Sequence, residues 1–263
     1  MRNTLLRATL LLSVTAASAA VAAPTPTLTV LSSGGIMGAI RAAQPAYEKA
    51  YHIKLDIQAA PSMGETPQAV PNRLARQEPA DVVLMVGSAL DSLQAKGLVK
   101  PTSRVDLGKS YIAMAVRKGD PKPDISSMKS FRQTLLDSTS VAYSDSASGV
   151  YLSRSLFPRM ALGESFKAKA HMIPAEPVGA VVARGQAQIG FQQLSELKPV
   201  PGIDIVGLVP AQAQKMTLYA GAVVSTSVHQ TQARQLLDYL ASAQSDAAIQ
   251  ASGLTPLKHA ARQ

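Results

Sequence analysis

Apolar and polar positions along the chain follow two periods, and the changes between them mark out the elements. Residues 27–31 form a β-rich run, and from 36 to 50 Ile36, Ile40, Ala43 and Tyr47 recur at the spacing of one helix face. Residues 53–57 predict a second strand, 60–64 a loop and 67–76 another helix. Residues 81–86 are apolar after the first, the pattern of a strand buried on both faces, and 91–96 predict a short helix. Strands alternating with helices of this length predict an α/β fold with a mostly parallel sheet covered on both sides.

The order restarts after a composition change near Lys109. Residues 110–117 predict a long apolar strand, followed by a turn-rich stretch at 118–124. Then come a strand at 140–143, a Ser/Gly loop, helices at 150–160 and 177–184, and a strand at 187–191. A second long apolar strand is predicted at 216–224, with closing helices at 231–241 and 246–251. Two α/β units joined by two long strands predict two lobes with a double crossover: lobe one at 23–109 plus 225–263, lobe two at 110–224. The competing reading is a single doubly wound domain. In either case a solute is expected at the C-terminal ends of the strands.

The first residues change the compartment. Arg2 and Arg7 head an apolar stretch that ends in small residues, the three parts of a secretory signal. Ala20-Val21-Ala22 fits the small-x-small rule, so residues 1–22 are expected to leave and the mature chain to begin at Ala23 in the periplasm. The apolar part is too short for a spanning helix, so the mature chain is expected to have no membrane insertion. The absence of cysteine excludes a lipoprotein anchor, a disulfide framework, a thiolate metal site and a cysteine nucleophile. The net charge of +9, or +7 once the two leading arginines are gone, suits the collection of anions. The basic residues are scattered and not interleaved with aromatics, so nucleic acid is not an expected partner.

Several loops are suited to an anion. Ser32-Ser33-Gly34-Gly35 joins the first strand to the first helix, where N–H groups, hydroxyls and the positive helix end converge. The same segment also reads as an ordinary serine N-cap. Ser62, Met63 and Gly64 follow the second strand, and Gly87-Ser88 the third. Ser148 and Gly149 precede a helix of the second lobe, and Gln192 offers an amide after the strand ending at Phe191. Arg73 and Arg154 are candidates for forked pairs with a carboxylate, against the plainer reading of each as a solvated surface arginine. Glu65, Tyr143 and Asp145 lie in or beside these loops and are the candidates for moving a proton, or for anchoring the loops. His52, His171, His229 and His259 form no metal-ligand motif, no G-x-S-x-G is present, and neither metal nor organic cofactor is expected.

The run VPNRLARQEPADVV at 70–83 and the run AYSDSASG at 142–149 carry a resemblance. With them, practically all of the mature chain resembles the molybdate-binding-protein-like branch of the type 2 periplasmic solute-binding proteins. The resemblance implies two lobes on a two-strand hinge. It also implies an oxyanion held by Ser32 or Ser33, by Ser62, and by the backbone of Ala147-Ser148-Gly149. The family's oxyanion tyrosine is missing, since Gly190-Phe191-Gln192-Gln193 stands in its place. That departure points away from molybdate and toward a larger, planar organic anion. The chain also resembles the periplasmic aconitate isomerases, which share this fold. This second resemblance implies an allylic proton shift between trans- and cis-aconitate, with the tricarboxylate clamped by the serine-glycine loops, Arg73 and Arg154. The base is then Glu65, Tyr143 or Asp145. The alternative it leaves is a non-catalytic binding protein that delivers a polycarboxylate or a molybdate-like oxyanion to a membrane ABC transporter.

Overall fold

The computed structural model describes residues 25–258 except Ala175. The proposed signal at 1–22 and His259 lie outside the described residues. The first half runs β1 (Thr27–Ser32), α1 (Gly34–Tyr51), β2 (Lys54–Ala59), α2 (Val70–Ala75), β3 (Val82–Val86), α3 (Gly87–Ala95), β4 (Val105–Ser110) and β5 (Ile112–Arg117). There follow α4 (Met128–Asp137), β6 (Val141–Ser144), α5 (Ala147–Tyr151), a π-helical turn at Leu152–Leu156, α6 (Phe157–Arg159), α7 (Glu164–Lys169) and β7 (Ala170–Ile173). The remainder is α8 (Val178–Ala183), β8 (Ile189–Gln193), α9 (Leu194–Leu197), β9 (Ile203–Leu208), β10 (Thr217–Val223), α10 (Gln230–Leu240), α11 (Asp246–Ala251) and β11 (Thr255–Pro256).

These strands form two separate sheets, ordered β11-β4-β10-β3-β1-β2 and β7-β6-β8-β5-β9. In the first, β1 lies parallel to β2 and β3, with Val30 opposite Ile57 and Val82, while β10 runs antiparallel between β3 and β4. In the second, β6 is parallel to β7 and β8, and β5 is antiparallel to β8 and β9. The chain leaves the first sheet at Tyr111, between β4 and β5, and returns between β9 and β10.

The return crossing is earlier than the apolar pattern suggested. The apolar pattern groups β10 with lobe two, but the strand is hydrogen-bonded deep in the lobe-one sheet. Its residues serve both faces of that sheet: Tyr219 and Val223 enter the core under α1 and α10, and Ala220 and Ala222 the core under α2 and α3. A strand buried on both faces looks alike in either lobe, so the sequence pattern alone could not assign it. The expected strand 110–117 is likewise the end of β4 and all of β5, divided by the crossing.

Each sheet is covered on both sides, so each lobe has its own core. The helix predicted at 36–50 is α1, which buries Ile36, Ala39, Ile40, Ala43 and Tyr47 on one face and places Pro45 on its exposed side. In lobe two, Phe131 and Leu135 of α4 pack with Ile189 and Phe191 of β8, while Val178 and Val182 of α8 cover the other face. The helix expected at 67–76 is shorter, because residues 61–69 fold as turns above the end of β2. Among the described residues no helix is long and apolar enough to cross a membrane.

Candidate functional site between the two lobes

A cleft of about 550 Å³ opens between the lobes, within the roughly 300–1,000 Å³ usual for small-molecule sites. Lobe one supplies Ser33 and Gly34 after β1, Ala59 to Met63 after β2, and Val86 at the end of β3. Lobe two supplies Asp145, Ser146 and Ala147 after β6, Glu176 and Pro177 before α8, Gln192 in β8 and Glu196 in α9. The parallel strands thus point their C-terminal ends into the gap, where loops are free of the sheet and helix N-termini begin.

On the lobe-one wall, Ser33 precedes α1 in extended backbone. Its N–H donates to Leu84 O at 2.9 Å and its carbonyl accepts from Ile36 N and Met37 N at 3.2 and 3.1 Å. Its hydroxyl caps nothing: Oγ is buried without a partner. Ser62 is also buried, and its Oγ accepts from Val86 N at 3.0 Å, which ties the β2 loop to the end of β3. The two glycines that open α1 allow close approach. A Cβ on Gly34 would lie 2.9 Å from Glu196 Oε1, and one on Gly35 would fall 1.9 Å from the Tyr219 hydroxyl oxygen.

On the facing wall, Gln192 Oε1 accepts from Val178 N at 3.0 Å, and Ser144 Oγ contacts Ser146 Oγ and Ser148 Oγ at 2.8 and 3.1 Å. Glu176 pairs with Arg184 at 2.7 Å. The first turn of α9 packs on α1 and carries Glu196. Part of that residue is open to the cleft, while its Oε2 is sealed and has no partner. Burial pushes the Glu196 carboxyl up to about 7, opposed by hydrogen bonds from the Gln193 backbone and the Gln192 amide and reinforced by the charge of Asp145. Burial, with the charge of Glu196, also raises the buried Tyr219 hydroxyl well above its ordinary range.

The candidates named from sequence divide by position. Ser33, Gly34, Ser62, Met63, Asp145 and Gln192 line the cleft. Ser32 is buried just behind it, with Oγ donating to Ser33 O at 3.3 Å. Ser148 and Gly149 are buried behind the Ser146 loop, and a Cβ on Gly149 would fall 1.5 Å from Ser144 O, so that glycine serves packing. Ser88 is exposed in the first turn of α3, Glu65 is exposed in the β2 loop, and neither lines the cleft. Tyr143 borders a separate cavity within lobe two, edge-on to Phe157 at 5.9 Å. Arg73 Nε donates to Glu78 at 2.7 Å and its Nη2 to Gln58 at 2.5 Å, and Arg154 is exposed on the π-helical turn. Among the described residues the cleft lining contains no lysine or arginine, so an anion there meets N–H groups and hydroxyls.

Glu196, Tyr219 and Glu176 were not singled out from sequence. Glu196 had one usable signal: it is the first acidic residue after the C-terminal end of β8, the side on which α/β sheets bind ligands.

The chain is similar to known proteins over nearly all of this architecture. A family model described as bacterial extracellular solute-binding protein matches residues 28–255. A Pseudomonas sp. protein named aconitate isomerase is 74% identical over 236 residues, 90% of each chain. The periplasmic molybdate-binding protein of Azotobacter vinelandii superposes with a TM-score of 0.71 at 17% identity, over 88% of this chain and 100% of that one. The tungstate-binding protein TupA of Desulfovibrio alaskensis G20 gives 0.60 at 15% identity, over 89% and 100%. At such identities the structural likeness speaks for the two-lobed fold.

Proposed function

Because the chain belongs to the bacterial extracellular solute-binding proteins, we propose that it turns the cleft of that family to catalysis and interconverts trans- and cis-aconitate in the periplasm. The observation that carries this reading is the 74% identity, over 90% of both chains, to a protein named aconitate isomerase. The signal read at residues 1–22 and the family support the compartment.

The reaction moves one proton and no other atom. The methylene carbon of the propene tricarboxylate loses a proton, and its electron pair spreads over the three-carbon allyl unit and the attached carboxylates. Protonation at the far carbon leaves the double bond between the central carbon and the former methylene. The charge that develops on the carboxylates is what the site must stabilise. The α1 N-terminus at Gly34 and Gly35, the unpartnered Ser33 hydroxyl and the backbone at Ser146 and Ala147 are suited to that task. Lobe closure over the substrate would exclude water and strengthen each of these contacts.

The test is incubation of the mature protein with trans-aconitate in deuterated buffer, followed by ultraviolet absorbance and proton NMR. Catalytic formation of cis-aconitate with deuterium at the allylic carbon is expected. Tight binding without turnover would instead make the chain a carrier of polycarboxylates for a membrane transporter. Absence of both would send the search to inorganic oxyanions.

A further inference from the structure

We propose that Glu196 is the catalytic base that takes the allylic proton from one carbon and returns it to the other. The inference rests on the isomerase reading above and names the group that reading requires. Among the described residues three carboxylates line the cleft, and their surroundings separate them. Glu176 is held by Arg184 at 2.7 Å, and Asp145 is solvent-exposed in the β6 loop. Glu196 alone combines a face open to the cleft with an oxygen that neither water nor a hydrogen-bond donor reaches.

Its position suits the step. Oε1 lies 2.9 Å from where a Gly34 side chain would begin, beside the opening turn of α1. A substrate carboxylate docked on the Gly34 and Gly35 N–H groups would set its adjacent carbon against this carboxylate. Glu196 breaks the C–H bond as its O–H bond forms, and the electron pair passes into the allyl system. The O–H bond then breaks as C–H forms at the far carbon, which restores the carboxylate. Burial, which raises the group to about 7, makes it a stronger base than an exposed glutamate once it is ionised. The other titratable groups facing it are Asp145 from the β6 loop and Tyr219 from β10. Asp145 opposes its ionisation by its charge, and the charge of Glu196 in turn raises the Tyr219 hydroxyl.

The experiment compares the mature wild type with Glu196→Gln and Glu196→Asp, measuring turnover, deuterium wash-in and calorimetric binding of trans-aconitate. E196Q should lose roughly 10²–10⁴-fold in turnover and wash-in while binding stays within about tenfold. E196D should recover part of the rate. In the wild type, kcat/KM should fall on the acid side with a midpoint near 7, a readout that needs no variant to fold. E196Q turnover within about tenfold of wild type, or an acid limb near the ordinary carboxylate range of about 4, would overturn the assignment. Loss of binding together with turnover would make Glu196 a binding group. A wild type that binds trans-aconitate without turnover would remove the isomerase reading itself, and the base with it.

Discussion

A carboxyl sealed on one side in a protein interior leaves a trace in stability as well as in catalysis. Glu196 holds its proton in the folded state up to about pH 7, whereas an unfolded chain releases it near 4.5. Between those values the native state binds more protons, so the group's stabilising contribution is complete below 4.5 and is lost as pH rises through about 7. The loss is on the order of 3 kcal/mol for a shift of this size. Glu196→Gln cannot ionise and should escape it. Urea denaturation of both proteins from pH 4 to 8 should give a difference that grows in favour of the variant across that window; a constant difference would count against the buried, protonated carboxyl. At this scale Ser33, Ser62 and Asp145 were legible because they follow strands in loops of recognisable composition. Glu196 was not, since Leu194-Ser195-Glu196-Leu197 reads as an ordinary helical turn. The residue packed against it is Gly34 at the start of α1, far away along the chain.

Among the elements, α1 shows how local pattern and remote contact combine. Its apolar face was predicted from spacing and is the face that is buried, and both ends are tied down by tertiary partners. At the far end, Glu48 accepts from Lys54 Nζ and Gln44 Nε2 at 2.8 Å each and from Leu55 N at 3.0 Å, which fastens α1 to the start of β2. These bonds, led by Lys54, hold its carboxyl down to about 2. The depressed value means stability that is present above 4.5 and is lost as pH falls toward 2. Glu48→Ala should therefore melt at a lower temperature than wild type at pH 7, and the gap should narrow near pH 2.5, as calorimetry at both values would reveal. The elements that escaped prediction are of two kinds. β7 and β11 lie at sheet edges and α9 is a single turn, each with little local signal, whereas α4, with its Ser127 cap and its buried Phe131 and Leu135, together with α7, β9 and most of β4, carried a pattern that went unread; α3 begins earlier than its apolar pattern, at Gly87.

Across the whole molecule, the lobes are joined by more than the two crossings. Gln193 Nε2 donates to Thr217 Oγ1 at 2.8 Å, linking β8 to β10, and Ser110 Oγ of β4 meets Ser195 Oγ of α9 at 3.1 Å, each pair joining the two lobes through buried groups. Gln214, on the return crossing, accepts from Ile112 N at 2.7 Å and donates to Ile112 O at 3.0 Å, which fastens one crossing to the other. Gln193 Oε1 is already buried without a partner, so Thr217→Val would leave the whole amide unsatisfied. The expected cost is about 1–3 kcal/mol, read by urea denaturation at constant pH. A neutral effect would mean that the amide finds another partner and that the hinge tolerates rearrangement.

Local pattern alone determined that the chain is α/β, that strands and helices alternate in two units, and that serine- and glycine-bearing loops end the strands on one side. These follow from periods and turn chemistry within a few residues, which need no knowledge of the rest of the molecule. Only the tertiary structure decided that β10 returns to lobe one, that Arg73 is held by Glu78 and Gln58, and that Tyr143 faces another cavity. Only it brought Glu196 against the start of α1. A strand apolar on both faces fits either sheet, an arginine takes the carboxylate that folding places beside it, and the basicity of a carboxyl depends on how much water its remote neighbours exclude.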